Sequence, residues 1–343
     1  MKNKLLLVSC ALFLFSGTAF AENLLVTKTS GGADEEGTLP YVVANAPGGS
    51  VIELSIGDET TVTIPETILI DKNLTIDGKG KTISVAEPGV SNYRIFKIGL
   101  YEPEDGAELI SLTLKNCTLY GGDGTALVDT ETTMATWSAT ILVGANGTLT
   151  GENLLFDKAK NGYAAGIMAC GDITLTNCTF QNLSGTKAGG ALYTNKGVTG
   201  RFTNCTFTNN TAKGGGALLT WMGDVTVENC SFEHNEATGT SGGAWYASLK
   251  TAVTYKVAGC YFGENLSAAH GGAILSTSKN ATFTNCTFYK NEITGANNGG
   301  GALALQGDAT MYNCTCVNNK GVHETYVSEI DIASKAIVKI FIC

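Results

Sequence analysis

The sequence predicts an all-β chain, a single-stranded right-handed parallel β-helix solenoid of about ten coils with a short N-terminal helical cap. Three observations carry this. Asn177-Cys178-Thr179-Phe180 returns at 204–207 and 285–288, and in altered form as Asn229-Cys230-Ser231-Phe232, Gly259-Cys260-Tyr261-Phe262 and Asn313-Cys314-Thr315-Cys316, with the cysteines 27, 25, 30, 26 and 28 residues apart. Gly189-Gly190-Ala191-Leu192 recurs in the same phase at 215–218 and 300–303, and as Gly242-Gly243-Ala244-Trp245 and Gly271-Gly272-Ala273-Ile274. Between the motifs lie short alternating runs such as Asp224-Val225-Thr226-Val227 and Ala281-Thr282-Phe283-Thr284. Period-2 alternation rich in β-branched residues marks strands. Glycine and asparagine interrupt them too often for crossover helices, so winding the chain as a coil is the remaining way to stack parallel strands.

Residues 1–21 read as a cleavable export signal: Lys2 and Lys4, the apolar run Leu5 to Phe15, then Ala19-Phe20-Ala21. A lipoprotein box at Leu7-Val8-Ser9-Cys10 is a rival, but it leaves too few apolar residues before Cys10. The run is shorter than the roughly 20 residues of a membrane-spanning helix. An extracellular, cell-surface or outer-membrane location follows from this reading.

Residues 22–50 read as an N-terminal cap. Thr38 precedes Leu39-Pro40-Tyr41-Val42-Val43-Ala44-Asn45-Ala46, an N-cap followed by proline in the first turn of a short amphipathic helix. The β-helix occupies 51–343. Strands are expected at Val51–Leu54, Thr61–Ile64, Thr67–Ile70, Leu74–Ile76 and Thr82–Val85. The clearest repeats span 150–320. Weaker copies lie upstream, at Asn153-Leu154-Leu155-Phe156, Ala164-Ala165-Gly166-Ile167 and Asn116-Cys117-Thr118-Leu119.

The repeat assigns jobs to its residues. Alternation points Cys230 and Phe232 inward and Ser231 outward, so Cys and Phe should form ladders along the core. The Asn before each Cys should sit at a bend and bond to its counterpart in the next coil; Asn tolerates the left-handed backbone such a bend needs. Cys117, Cys178, Cys205, Cys230, Cys260, Cys286 and Cys314 share one position. Stacked side chains about 4.8 Å apart are too far for the 3.5–4.5 Å between Cβ atoms of a disulfide, so these are expected as free buried thiols. Cys316 and Cys343, 27 residues apart, either close as a disulfide or stay free. Ala336 to Cys343 is an apolar strand whose exposed edge invites pairing with a partner or another copy.

Chemistry is sparse. Acids outnumber bases by 31 to 22, and Arg94 and Arg201 are the two arginines. A nucleic-acid partner is therefore disfavoured, since it needs a basic face. His234, His270 and His323 fall at different phases of the repeat, so no metal or other cofactor is expected. Asp172, Asp224 and Asp308 share a turn position but not neighbouring coils, and read as turn formers. The Asn-Cys-Thr sequons follow from the repeat. Tyr193, Trp221, Trp245 and Tyr246 read either as packing or as an aromatic strip for carbohydrate. One coil, from Asn116 to Asn153, is about ten residues longer than the period. Its extra residues near 121–137 include Asp123, Asp129, Glu131 and Trp137, a candidate ligand loop whose plainer reading is a tolerated insertion.

The paired motifs resemble those of the chlamydial polymorphic outer membrane proteins and related bacterial surface β-helix proteins, which repeat Gly-Gly-Ala-(Ile/Leu/Val) and Phe-x-x-Asn. The second motif stands here as Phe207-Thr208-Asn209-Asn210, Phe232-Glu233-His234-Asn235, Phe262-Gly263-Glu264-Asn265 and Phe288-Tyr289-Lys290-Asn291. Phe180 has Leu183 in place of the Asn, and Cys316 replaces Phe before Asn319. The likeness covers about residues 150–320. It implies a pectin-lyase-like β-helix used in surface display or adhesion. That family also carries a C-terminal membrane barrel, which has no counterpart in these residues. The expected function is non-catalytic, adhesin-like binding of a glycan or host surface protein. The alternative is a polysaccharide lyase or glycoside hydrolase of the same fold, which needs clustered carboxylates on adjacent coils.

Overall fold

The computed structural model describes residues 23–123, 140–248, 253–295, 299–321 and 329–341. The predicted export signal, His323 and Cys343 lie outside them.

The chain is an all-β right-handed parallel solenoid of about 11 turns. At about 4.8 Å per coil this is a rod roughly 50 Å long. Three parallel sheets form its walls, here called A, B and C, of 19, 10 and 6 strands. A typical coil runs Ser184–Gly185 in wall C, Leu192–Thr194 in wall B, then Gly200–Thr203 and Thr206–Thr208 in wall A. Wall A therefore takes two strands from each coil, where the sequence reading had about three strands in all. The bend between them is the Asn of the Asn-Cys motif. Asn116, Asn153, Asn177, Asn204, Asn229, Asn285 and Asn313 all have φ between 49° and 55°, the left-handed region that Asn tolerates.

Side-chain alternation fills the interior. Phe156, Phe180, Phe207, Phe232, Phe262 and Phe288 are wholly buried. Their rings stack at centroid distances of 4.4 to 5.0 Å, tilted 3° to 8°. Beside them run Cys178, Cys205, Cys230, Cys260 and Cys286, buried and free, with Cys314 half-buried at the end. Leu154 takes this position in the coil after Cys117. Burial pushes the Cys117 thiol up and Cys316 to about 12, so both stay protonated at neutral pH.

Two rows of amides tie the coils together. The outer row follows the Asn-Cys motif: Asn204 Nδ2 donates to Asn177 Oδ1 (3.2 Å), Asn177 to Asn153 (3.2 Å), Asn153 to Asn116 (2.9 Å) and Asn116 to Asp77 Oδ1 (3.0 Å). Gly259 interrupts the position, and Asn313 bonds to Asn285 beyond it (2.9 Å). The inner row, which the motif reading did not anticipate, uses the Asn of Phe-x-x-Asn. Asn210, Asn235, Asn265 and Asn291 each donate from Nδ2 to the next Oδ1 at 2.8 to 3.0 Å. Each also donates to a Phe carbonyl of the preceding coil. All four are essentially without solvent contact. The row starts where Leu183 N donates to Asn210 Oδ1 (3.1 Å) and ends where Asn319 Nδ2 meets Glu329 Oε2 (3.4 Å).

The Gly-Gly pair has a steric cause. The first glycine has φ from +60° to +77° at Gly189, Gly215, Gly242, Gly271 and Gly300. A Cβ on the second, at Gly216 for instance, would collide with the carbonyl oxygen of Gly243 in the next coil.

Helix α1 (Leu39–Asn45) has Thr38 as N-cap, its Oγ1 accepting from Tyr41 N at 3.2 Å. Leu39, Pro40, Val42 and Val43 are buried. It touches Asn23–Val26, Thr61–Ile64 and Ile68–Ile70, each the first strand of its ladder, and so covers the N-terminal opening of the core. Asn23–Val26 is a strand inside the segment read as cap; it begins wall A by pairing with Val51–Leu54. At the other end the last strands are Ile330–Ile332 in wall B and Val338–Phe341 in wall A. Their inward residues Ile332 and Ile340 occupy core columns yet are 43% and 51% exposed. Among the described residues no helix is long and apolar enough to cross a membrane.

Candidate functional site

The most chemically distinctive surface is the outer face of wall B. Its strands carry three or four residues each in strict register, and the second residue of each points outward. From coil to coil that column reads Leu142, Met168, Tyr193, Leu219, Tyr246, Leu275 and Ala304. An outward column on a solenoid is ordinarily polar; this stretch is apolar or aromatic, between Lys97 in the coil before it and Asp331 in the coil after it.

The glycine turns explain why it is shielded. The left-handed glycine curls the preceding turn over the strand, so Ala188 packs beside the column. Leu142, Ala164, Met168, Tyr193 and Leu219 form a second apolar cluster separate from the core, flanked by half-buried Tyr163, Cys170, Ala188, Trp221 and Tyr246. Tyr163 meets Tyr193 edge to face, centroids 6.0 Å apart. Lys187 Nζ sits 4.8 Å from the Tyr163 ring centroid, within cation–π range. Burial holds the Tyr193 hydroxyl protonated and raises the Cys170 thiol to about 11. Asn195 Nδ2 lies 3.7 Å from Cys170 Sγ. These groups therefore carry no charge at neutral pH. What reaches solvent is the half-buried fringe, Tyr163, Trp221 and Tyr246 with Lys187 beside Tyr163, and such aromatic edges can stack against flat partly apolar surfaces.

Of the four aromatic residues singled out in the sequence, three belong here. Trp245 does not. It stands in register with Leu218 and Ile274, which point inward, and is fully buried. Its Nε1 donates to Thr220 Oγ1 (3.1 Å), and its ring packs edge-on to Tyr255 (5.3 Å). Tyr163, Cys170 and Lys187 were missed. Tyr163 precedes a degenerate Gly-Gly-Ala copy, and the other two carry no repeat signal.

The candidate loop is described only at its margins. Asp123 forms a parallel bridge to Lys160, and the chain re-enters at Thr140, whose Oγ1 donates to Ala165 O (2.9 Å). Asp129, Glu131 and Trp137 lie outside the described residues. Asp172, Asp224 and Asp308 accept backbone N–H groups from Thr199, Thr254 and Ile337 in the following turn at 2.7 to 2.8 Å. That occupies a carboxylate oxygen of each in a structural bond. His234 Nδ1 stands 3.7 Å from Glu264 Oε2 on the far turn. Among the described residues no group of three or more His, Cys, Asp or Glu is placed to hold a metal.

Comparison with known proteins gives three findings. Residues 139–248 match the family described as a right-handed β-helix region. The metabotropic glutamate receptor-like protein R of Dictyostelium discoideum is 33% identical over 150 residues, 43% of this chain. The matched part spans 9% of that relative's length. Among solved structures, a polygalacturonase from Erwinia carotovora ssp. carotovora is similar at 14% identity, covering 92% of this chain and 99% of its own, with a TM-score of 0.36. PfbA, a surface adhesin of Streptococcus pneumoniae, is similar at 11% identity, covering 87% and 90%, with a TM-score of 0.33.

Proposed function

We propose that the chain is a non-catalytic, adhesin-like β-helix protein of the cell exterior that holds a glycan or surface protein against the outer face of wall B. The observation that carries this is the aromatic fringe of the shielded column. Half-buried Tyr163, Trp221 and Tyr246 leave aromatic surface at the edge of the buried cluster that contains Tyr193. Coils repeat at about 4.8 Å, so the aromatic groups of successive coils lie along the rod axis. The resemblance of the motifs to polymorphic outer membrane proteins supports display outside the cell.

A glycan array probed with the full chain, followed by titration calorimetry of any hit, tests this. Trp221→Ala and Tyr246→Ala are expected to weaken binding about tenfold or more, with circular dichroism confirming that each variant keeps the fold. The same polymers are assayed for unsaturated uronate absorbance and for new reducing ends. Turnover of a uronate polymer would replace the binding reading with the lyase or hydrolase reading.

A further inference from the structure

We propose that wall A carries a separate binding site, an aromatic platform at Tyr261 that takes an uncharged glycan chain. The second strand of wall A presents two outward positions in each coil. In the first, successive coils carry Thr179, Thr206, Ser231, Tyr261, Thr287 and Thr315. In the second they carry Gln181, Thr208, Glu233, Gly263, Tyr289 and Val317. One coil departs in both positions at once. Its tyrosine stands where the others have a short hydroxyl, and its glycine where the others have a side chain.

The two departures fit each other. A Cβ on Gly263 would come within 2.6 Å of Tyr261 Cε1, Cζ and Oη. The Tyr261 ring therefore lies down over the glycine, against the wall. Gly263 is buried beneath it, while Tyr261 keeps part of its surface in solvent. Gly263 is not among the left-handed glycines, so the ring, not a turn, accounts for the missing side chain. Tyr289, in register with Gly263 on the next coil, continues the platform along the rod, with Lys290 Nζ 5.0 Å from its ring centroid. Burial and the carboxylates of Glu233 and Glu264 raise the pKa of the Tyr261 hydroxyl and Lys290 opposes them, so all three charges stand around the ring. Ser231 Oγ donates to Glu233 Oε1 (2.5 Å), and His234 Nδ1 lies 3.7 Å from Glu264 Oε2. A flat ring rimmed by donors and acceptors suits a pyranose, which has an apolar C–H face and hydroxyls at its edge. Two carboxylates against one ammonium leave the rim net negative, which repels a uronate or sulfated chain and selects a neutral one. The platform is on a different wall from the aromatic fringe of wall B and does not depend on it.

Titration calorimetry of the full chain tests this with cellohexaose, chitohexaose and mannohexaose as neutral probes and hexagalacturonate as the charged one. At least one neutral probe is expected to bind. Tyr261→Ala should weaken that binding at least about tenfold, and Tyr261→Phe should stay within about threefold of the unmodified chain. Gly263→Ala removes no polar group and no ring; it lifts the Tyr261 ring off the wall and should weaken binding at least about threefold. Circular dichroism confirms that each variant keeps the fold. Four results would each overturn the proposal: no binding of any neutral probe, neutral binding that survives Tyr261→Ala, neutral binding lost with Trp221→Ala in place of Tyr261→Ala, or hexagalacturonate held more tightly than the neutral probes in a Tyr261-dependent way.

Discussion

Asn116 Nδ2 donates to Asp77 Oδ1 across 3.0 Å, so the outer row of amides ends on a carboxylate. Asp77 also accepts from Lys79 N (3.0 Å) and pairs with Lys79 Nζ (3.2 Å), which in turn reaches Glu53 (3.0 Å). Burial alone would raise the Asp77 pKa; the hydrogen bonds from Lys79 N and Asn116, with the Lys79 ammonium, outweigh it and lower it. A lowered folded-state pKa contributes stability that is fully present above the ordinary Asp value of about 3.9 and is lost as pH falls through the lowered one. Asp77→Asn is therefore expected to reduce stability at neutral pH and to flatten its decline under acid. Urea unfolding midpoints between pH 7 and pH 2 measure both.

The inner amides should matter more than the outer ones. Asn235→Ala removes the acceptor for Asn210 N and Nδ2 and the donor to Phe207 O, all without access to water. Orphaned buried groups cost about 1–3 kcal/mol each, so a loss of roughly 3 kcal/mol or more is expected. Asn204 is solvent-exposed and left-handed (φ 54°). Asn204→Gly keeps that backbone and should cost under about 1 kcal/mol. Equilibrium denaturation of the two variants side by side decides the order.

Those two rows also show what the sequence displayed and what it hid. The Asn-Cys motif announced its bend, because Asn before an alternating strand has a conformational meaning that a single line of sequence carries. Phe-x-x-Asn was visible as a pattern, but Asn235 looks like any turn residue until the coil closes over it. Trp245 stood in a motif position beside surface-like tyrosines; only the register with Leu218 puts it in the core. Tyr163, Cys170 and Lys187 reach the wall-B face from turns, where period carries no information.

The second glycine of each pair is expected to be irreplaceable. Gly216→Ala forces a Cβ into the carbonyl of Gly243, with backbone of Glu236 also in the way. Gly197 has open space around its Cβ position and a φ of +81°. Gly197→Ala should cost about 1 kcal/mol from backbone strain, and Gly216→Ala several times that. Thermal melts of both separate the two causes.

All nine described cysteines are free. Under denaturing, non-reducing conditions a thiol reagent should therefore titrate them fully. In the native protein the buried column should react only on unfolding, since burial keeps thiols such as Cys117 protonated. Absence of titratable thiol after denaturation would show the column to be cross-linked.

The two amide rows run in opposite directions. The outer row donates toward the N-terminus and the inner row toward the C-terminus. Each is a line of aligned dipoles, and its positive pole meets an anion, Asp77 at one end of the rod and Glu329 at the other. The placement follows the logic by which acidic side chains gather at helix N-termini. The outer row from Asp77 to Asn204 and the inner row from Asn210 to Asn319 occupy successive stretches of the rod with opposed dipoles, so neither polarity accumulates over its whole length.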